Sequence, residues 1–114
     1  MEKITIDDLK KIEIKIGKII SAEPIEGSEK LLKLMVDMGE ETPRQILSGI
    51  AKQYSDLTKL VGIMCAFASN LEPRAMMGLE SNGMLLAVSG KNGEQDFFSP
   101  LCVSDDVVLG SVVK

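Results

Sequence analysis

The side chains of this chain that could do chemistry are basic and polar, and the usual catalytic types are missing. No histidine occurs among the 114 residues, which removes the commonest general base and with it the Ser-His and Cys-His nucleophilic pairs. Asp7 and Asp8, Glu40 and Glu41, and Asp105 and Asp106 are carboxylate neighbours at expected turns, where charge stays solvated. The two cysteines, Cys65 and Cys102, stand far apart with no CxxC spacing. They give no zinc or iron-sulfur ligand set, and both are expected as reduced thiols in the core. Gly17, Gly27, Gly39, Gly49, Gly62 and Gly78 are scattered as turn glycines and form no phosphate-cradling loop. The sequence predicts no catalytic residue, no metal ligand and no cofactor.

What remains is a vocabulary for binding. The stretch "NLEPRAMMGLESNGMLLA", residues 70–87, has Pro73, Gly78 and Gly83 to shape its backbone and ends in an apolar run from Met84. Arg74 is its one basic residue, and Met76 and Met77 stand in a loop rather than in an apolar run. Lys30 and Lys33 near the second expected strand and Arg44 at the entrance to the third are the other basic residues within reach. The net charge of −4 opposes a nucleic-acid partner overall, because counterion release needs cations facing phosphates; only a local basic rim could overcome it.

The elements that must position these residues follow from periodicity. Thr5 three residues before Asp8 has the form of a helix N-cap, continued by Leu9 and Ile12. Ile12, Ile14 and Ile16 alternate with Glu13, Lys15 and Gly17, the pattern of a half-buried strand running to Ile20. Turn chemistry at 24–30 leads to a strand over Leu31–Met38, and "GEETP" leads to a third over Gln45–Ser48. A short helical connection follows, with Ser55 as cap and Gly62 as stop. Ile63–Ala68 is a buried strand, Met84–Ser89 a fifth, "GKNGEQD" a turn, and short strands close the chain around Phe97–Val103 and Val107–Val113. Three strands, a helical connection and two more strands predict an all-β fold: an OB-type five-stranded Greek-key barrel with short helices and a C-terminal extension. Other small barrels share this pattern.

The chain is expected to form one domain, 1–114, given its length, 45% apolar and 26% charged residues. With no tryptophan and only one tyrosine and three phenylalanines, its core would gain from oligomerisation. The apolar tail of Val107, Val108, Leu109, Val112 and Val113 suggests the shared face of a homodimer. No segment has the apolar length of a signal peptide or membrane span, which points to a cytoplasmic protein with no membrane partner.

Two segments together carry a family resemblance. "KIEIKIGKIISAEPIEGSEKLLKLMVDMGEETPRQILSGIAKQY" and "NLEPRAMMGLESNGMLLA" resemble the tRNA-binding domain found at the C-terminus of many methionyl-tRNA synthetases and in free-standing dimeric tRNA-binding proteins. The motifs are Ile16-Gly17-Lys18, Glu29-Lys30-Leu31, Arg44-Gln45-Ile46 with Ser48-Gly49-Ile50, Asn70-Leu71, Pro73, Met77-Gly78, and Ser81 with Gly83-Met84-Leu85-Leu86. Glu29 stands where Asp is more frequent. The resemblance covers about Ile4 to Val113 and implies an OB fold, a homodimer, and binding to the folded tRNA body that is not sequence-specific. It points to Lys30, Arg44, Asn70, Arg74, Ser81 and Met84 as the tRNA-facing residues, with no DNA partner. The implied function is a non-catalytic module that aids tRNA recruitment to a methionyl-tRNA synthetase catalytic chain; the nucleotide motifs of such a ligase are absent here. The alternatives are an export-chaperone-like, peptide-binding OB dimer and a dimerisation or assembly domain of a synthetase complex.

Overall fold

Alternation of inward and outward side chains builds the barrel, and a kink in the first strand bends it. The computed structural model describes all 114 residues. Thr5 caps a single helical turn, α1 (Ile6–Leu9), by accepting from the Asp8 amide at 3.1 Å. Strand β1 (Ile14–Pro24) then pairs through Ile14–Lys18 with β4 (Met64–Ala68) and through Lys18–Pro24 with β2 (Leu32–Asp37), with a register shift between Ile19 and Ser21. That bulge sharpens the local twist, so one strand serves both halves of the barrel. Upstream of the bulge the expected alternation also fails: Ile12 lies outside the strand and is exposed, whereas Gly17 is buried next to Ile16.

Gly17 is therefore a strand residue and not a turn former. A Cβ there would come within 2.5 Å of the Met38 sulfur and 2.6 Å of a Val36 methyl, so the absent side chain lets β2 pack directly on β1. On β2, Leu32, Leu34 and Val36 point inward. They join Ile19, Met38, Ile46, Leu60 and Phe67 in the core, each worth about 1.5–3 kcal/mol of transfer free energy.

Strand β3 (Arg44–Ser48) pairs with β2, and the order across the antiparallel sheet is β3-β2-β1-β4-β7, where β7 is Met84–Leu85. The barrel closes where β3 meets the entrance to β7. There Asn82 N–H donates to the Gln45 carbonyl at 2.9 Å, and Leu47 N–H donates to the Ser81 hydroxyl at 3.0 Å. The connection between β3 and β4 holds two 3₁₀ turns, Ala51–Gln53 and Leu57–Lys59. Asp56, not Ser55, caps the second by accepting from the Thr58 amide at 3.0 Å.

Two hairpins stand outside the barrel sheet. The expected loop after β4 contains β5 (Arg74–Met76) and β6 (Leu79–Ser81), and the expected fifth strand breaks after Leu85. Its continuation, β8 (Ala87–Asn92), pairs with β9 (Gln95–Pro100), so the expected turn over 90–96 narrows to Gly93–Glu94, and the Phe97 ring covers Gly90 across the pair.

Of the expected last strands, Phe97–Pro100 belong to β9, while the rest of the first and the whole of the second reduce to single bridges at Cys102 and Val112. Residues after β9 lie along the edge of β4 that β7 leaves open, through Ala66 N–H to the Leu101 carbonyl and Val103 N–H to the Met64 carbonyl. This brings Cys102 opposite Cys65. Cys65 is in the core, but Cys102 is exposed, because it rides on the outside of a strand edge. The tail does the same for β1: Ile16 N–H donates to the Ser111 carbonyl at 2.9 Å and Val113 N–H to the Ile14 carbonyl at 2.8 Å. No helix is long and apolar enough to cross a membrane.

Candidate nucleic-acid interface

The β5–β6 hairpin and the β1–β2 loop form one rim of the barrel. Met76 and Leu79 pair across the hairpin, leaving Met77 and Gly78 as a two-residue turn with φ of 53° and 76°. Positive φ at both central positions is the geometry of a type I′ turn, which matches strand twist. Gly78 takes it freely; Met77 is the one non-glycine residue with positive φ, at a cost of about 1–2 kcal/mol. Across the gap, Gly27 opens space in the β1–β2 loop: a Cβ there would stand 3.2 Å from the Met77 methyl. The two loops meet at this contact.

Three of the six residues expected on the tRNA face have side chains engaged inside the molecule. Arg44 uses its whole fork: Nε and Nη2 hold the two Glu40 oxygens, and Nη1 donates to the carbonyls of Ser69 (2.7 Å) and Asn82 (3.2 Å). It thereby ties the two ends of the segment that carries the hairpin. The hydrogen bond from Arg44 holds the Glu40 carboxyl below its ordinary value, and the same bond raises the guanidinium. Asn70 accepts from the Glu13 amide at 2.8 Å and donates to the Lys11 carbonyl at 2.7 Å, which pins the start of β1 to the end of β4. Ser81 is buried, and its hydroxyl accepts from Leu47 N–H and donates to the Gly83 carbonyl.

The other three are open. Lys30 is exposed on the β1–β2 loop, its main chain fixed by the Ser28 hydroxyl and by Ala51 N–H, which donates to its carbonyl. Arg74 is exposed on β5 with Nη2 lying 3.8 Å from the Met76 sulfur. Neither cation joins an ion pair. Met84, expected to lead into the core strand, is 45% exposed on β7.

Several supporting residues were missed from sequence. By sequence Glu40 and Glu41 are a solvated turn pair, and only the spacing of four from Arg44 distinguishes Glu40. Glu13 supports Ser69 through a 2.8 Å bond to its hydroxyl, and the Gln45 amide donates to the Glu80 carbonyl at 2.9 Å. These bonds join residues 35 to 56 positions apart, beyond any local pattern. Nowhere do three histidine, cysteine or carboxylate side chains converge as a metal site would require. The arrangement can present two cations and exposed thioethers to an anionic polymer.

Comparison with known proteins supplies the family. The model described as "Putative tRNA binding domain" matches residues 14–111. The methionine–tRNA ligase of Lactococcus lactis is 43% identical over 116 residues, 99% of this chain and 17% of that protein. That of Methanocella arvoryzae is 52% identical over 84 residues, 74% of this chain and 12% of that protein. The chain thus spans less than a fifth of the length of these relatives. Among solved structures, a MetRS-related protein from Pyrococcus horikoshii superposes with a TM-score of 0.88 at 35% identity, covering all of both chains. The chaperone CsaA of Bacillus anthracis superposes at 0.79 with 21% identity over 99% of this chain and all of that one, a likeness of fold.

Proposed function

The chain belongs to the tRNA-binding domain family, and from that premise we propose that it binds the folded body of tRNA and brings it to a methionyl-tRNA synthetase, itself performing no catalysis. The observation that carries this reading is the division of the rim residues. Arg74 on β5, Met84 on β7 and Lys30 on the β1–β2 loop are exposed, while Arg44, Asn70 and Ser81 use their side chains to brace the segment that carries β5 and β6. Unpaired cations on a braced scaffold suit phosphates at fixed spacing, and so favour a folded RNA read by shape and backbone. They also explain how a chain of net charge −4 can take an anionic partner through a local patch.

The synthetase enters through the relatives, in which this module is one part of a longer ligase; whether joined to it or separate, the module would raise the local concentration of tRNA. A homodimer fits the same reading. Ile6, Leu9, Ile12, Val112 and Val113 are all exposed around a shallow hollow between α1 and the tail, and a second copy would cover them.

The test is a titration with bulk folded tRNA and with single-stranded RNA at two salt concentrations. Tighter binding of folded tRNA is expected, with a salt slope that falls by about one unit on Arg74→Ala or Lys30→Ala. Absence of tRNA binding at low salt would overturn the proposal.

A further inference from the structure

Met77 occupies a position that its backbone opposes. The two-residue turn asks for left-handed conformation at both places, which Asn-Gly or Gly-Gly supply without strain, yet the chain has Met there with φ of 53°. A strained residue that the turn does not need points to its side chain. That side chain is 53% exposed, and its methyl rests over Gly27, where the β1–β2 loop meets the β5–β6 hairpin. In an OB barrel the corresponding loops flank the ligand.

We infer that Met77 is the group this rim lays against the face of an exposed nucleobase, next to the phosphate contacts of Arg74. The inference rests on the tRNA-binding reading above and adds to it a base contact that no cation supplies. The rim has no aromatic ring to take that role. Phe67 is fully buried, Tyr54 packs edge-on against Phe98 with centroids 5.9 Å apart, and Phe97 belongs to the other hairpin. A thioether is the remaining polarizable group, and sulfur makes favourable contacts with aromatic rings. Such a contact needs no particular base, since every base has a π-face. The Gly27 contact steadies the methionine before the ligand arrives, which lowers the ordering cost of binding.

The experiment compares Met77→Asn, Met77→Gly and Met77→Leu with the wild-type chain, measuring thermal midpoint and affinity for bulk folded tRNA at two salt concentrations. Asn and Gly both suit the turn. The expected result is an unchanged or raised midpoint with affinity down about fivefold to tenfold and the salt slope intact, because no phosphate contact is lost; Leu keeps most of the affinity. Wild-type affinity in Met77→Asn and Met77→Gly overturns the inference while leaving the tRNA reading standing. A fall in midpoint that accompanies the loss of affinity in both variants also overturns it, making Met77 a staple between loops. If the wild-type chain binds no tRNA, both readings fall together.

Discussion

Arg44 grips Glu40 by both carboxylate oxygens, Nε to Oε1 at 2.8 Å and Nη2 to Oε2 at 2.7 Å. The fork leaves Nη1 free to reach across the barrel seam to the carbonyls of Ser69 and Asn82. Those carbonyls bracket the segment that contains the β5–β6 hairpin. A planar guanidinium can serve all of these acceptors at once; an ammonium is a point donor that cannot.

Replacing Arg44 by Lys should therefore cost nearly as much as replacing it by Ala. A destabilisation of about 2 kcal/mol is expected for either, read as a lowered urea midpoint with unchanged m-value. In the proposed arrangement Arg44 braces the rim and touches no phosphate. The weaker tRNA binding of both variants should then keep the wild-type salt slope, in contrast to Arg74→Ala, and a slope reduced by a full unit would refute the bracing role.

The same pair predicts an acid dependence. Hydrogen bonding from Arg44 lowers the Glu40 pKa from its ordinary 4.5. A carboxyl depressed in the folded state contributes stability that is complete above its unfolded value and lost as pH falls through the folded one. The stability gap between wild type and Glu40→Gln should hold constant from neutral pH down to about 5, then narrow below 4.5. Asp56, lowered by its bonds from Thr58, titrates in the same range in both proteins, so the difference between them isolates Glu40. A gap that stays constant into strong acid would count against the pairing.

The strands were legible because their signals are local. β2 alternates without a break, and the run Met64–Ala68 is apolar enough to be buried on both sides. The β5–β6 hairpin was hidden because its turn is Met77-Gly78, which lacks the usual Asn-Gly, and its strands are three residues each. Gly17 gave no sign of lying mid-strand, since the need for a missing side chain comes from Met38 and Val36 across the sheet. Within the candidate site, the sequence could not separate side chains engaged inside the molecule from those left open. Nothing in the chemistry of Arg44 and Arg74 separates a saturated guanidinium from an open one; the distinction is made by Glu40 and two distant carbonyls.

The cysteines should differ sharply in reactivity. Burial, with a smaller contribution from the neighbouring Cys102, pushes the Cys65 thiol up to about 12, so almost none of it is thiolate at pH 8, and the thiolate is the reactive form. Cys102 is exposed on the opposite strand edge. An aromatic disulfide reagent should label one thiol promptly in the native protein and the second only in denaturant, and Cys102→Ser should abolish the prompt phase. Prompt labelling of both would show that the β4 edge opens on the timescale of the reagent.

The exposed apolar face predicts how binding depends on assembly. None of the residues of α1 is buried in the single chain, although its Ile6 and Leu9 lie beside Ile12 on one side and Val112 and Val113 on the other. The tail is already hydrogen-bonded to β1, so its valines are held in place while staying open to water, as a preformed half-interface would be. Ile6→Glu together with Val113→Glu leaves the core untouched and should leave the circular dichroism spectrum unchanged. In a homodimer, facing charges would repel and convert the sedimenting species to a monomer at micromolar concentration. A dimer also presents two rims, so the variant should lose tRNA affinity with Arg74, Lys30 and Met77 all intact. A wild-type chain that sediments as a monomer under the same conditions would refute the shared interface, and the predicted loss of affinity disappears with it.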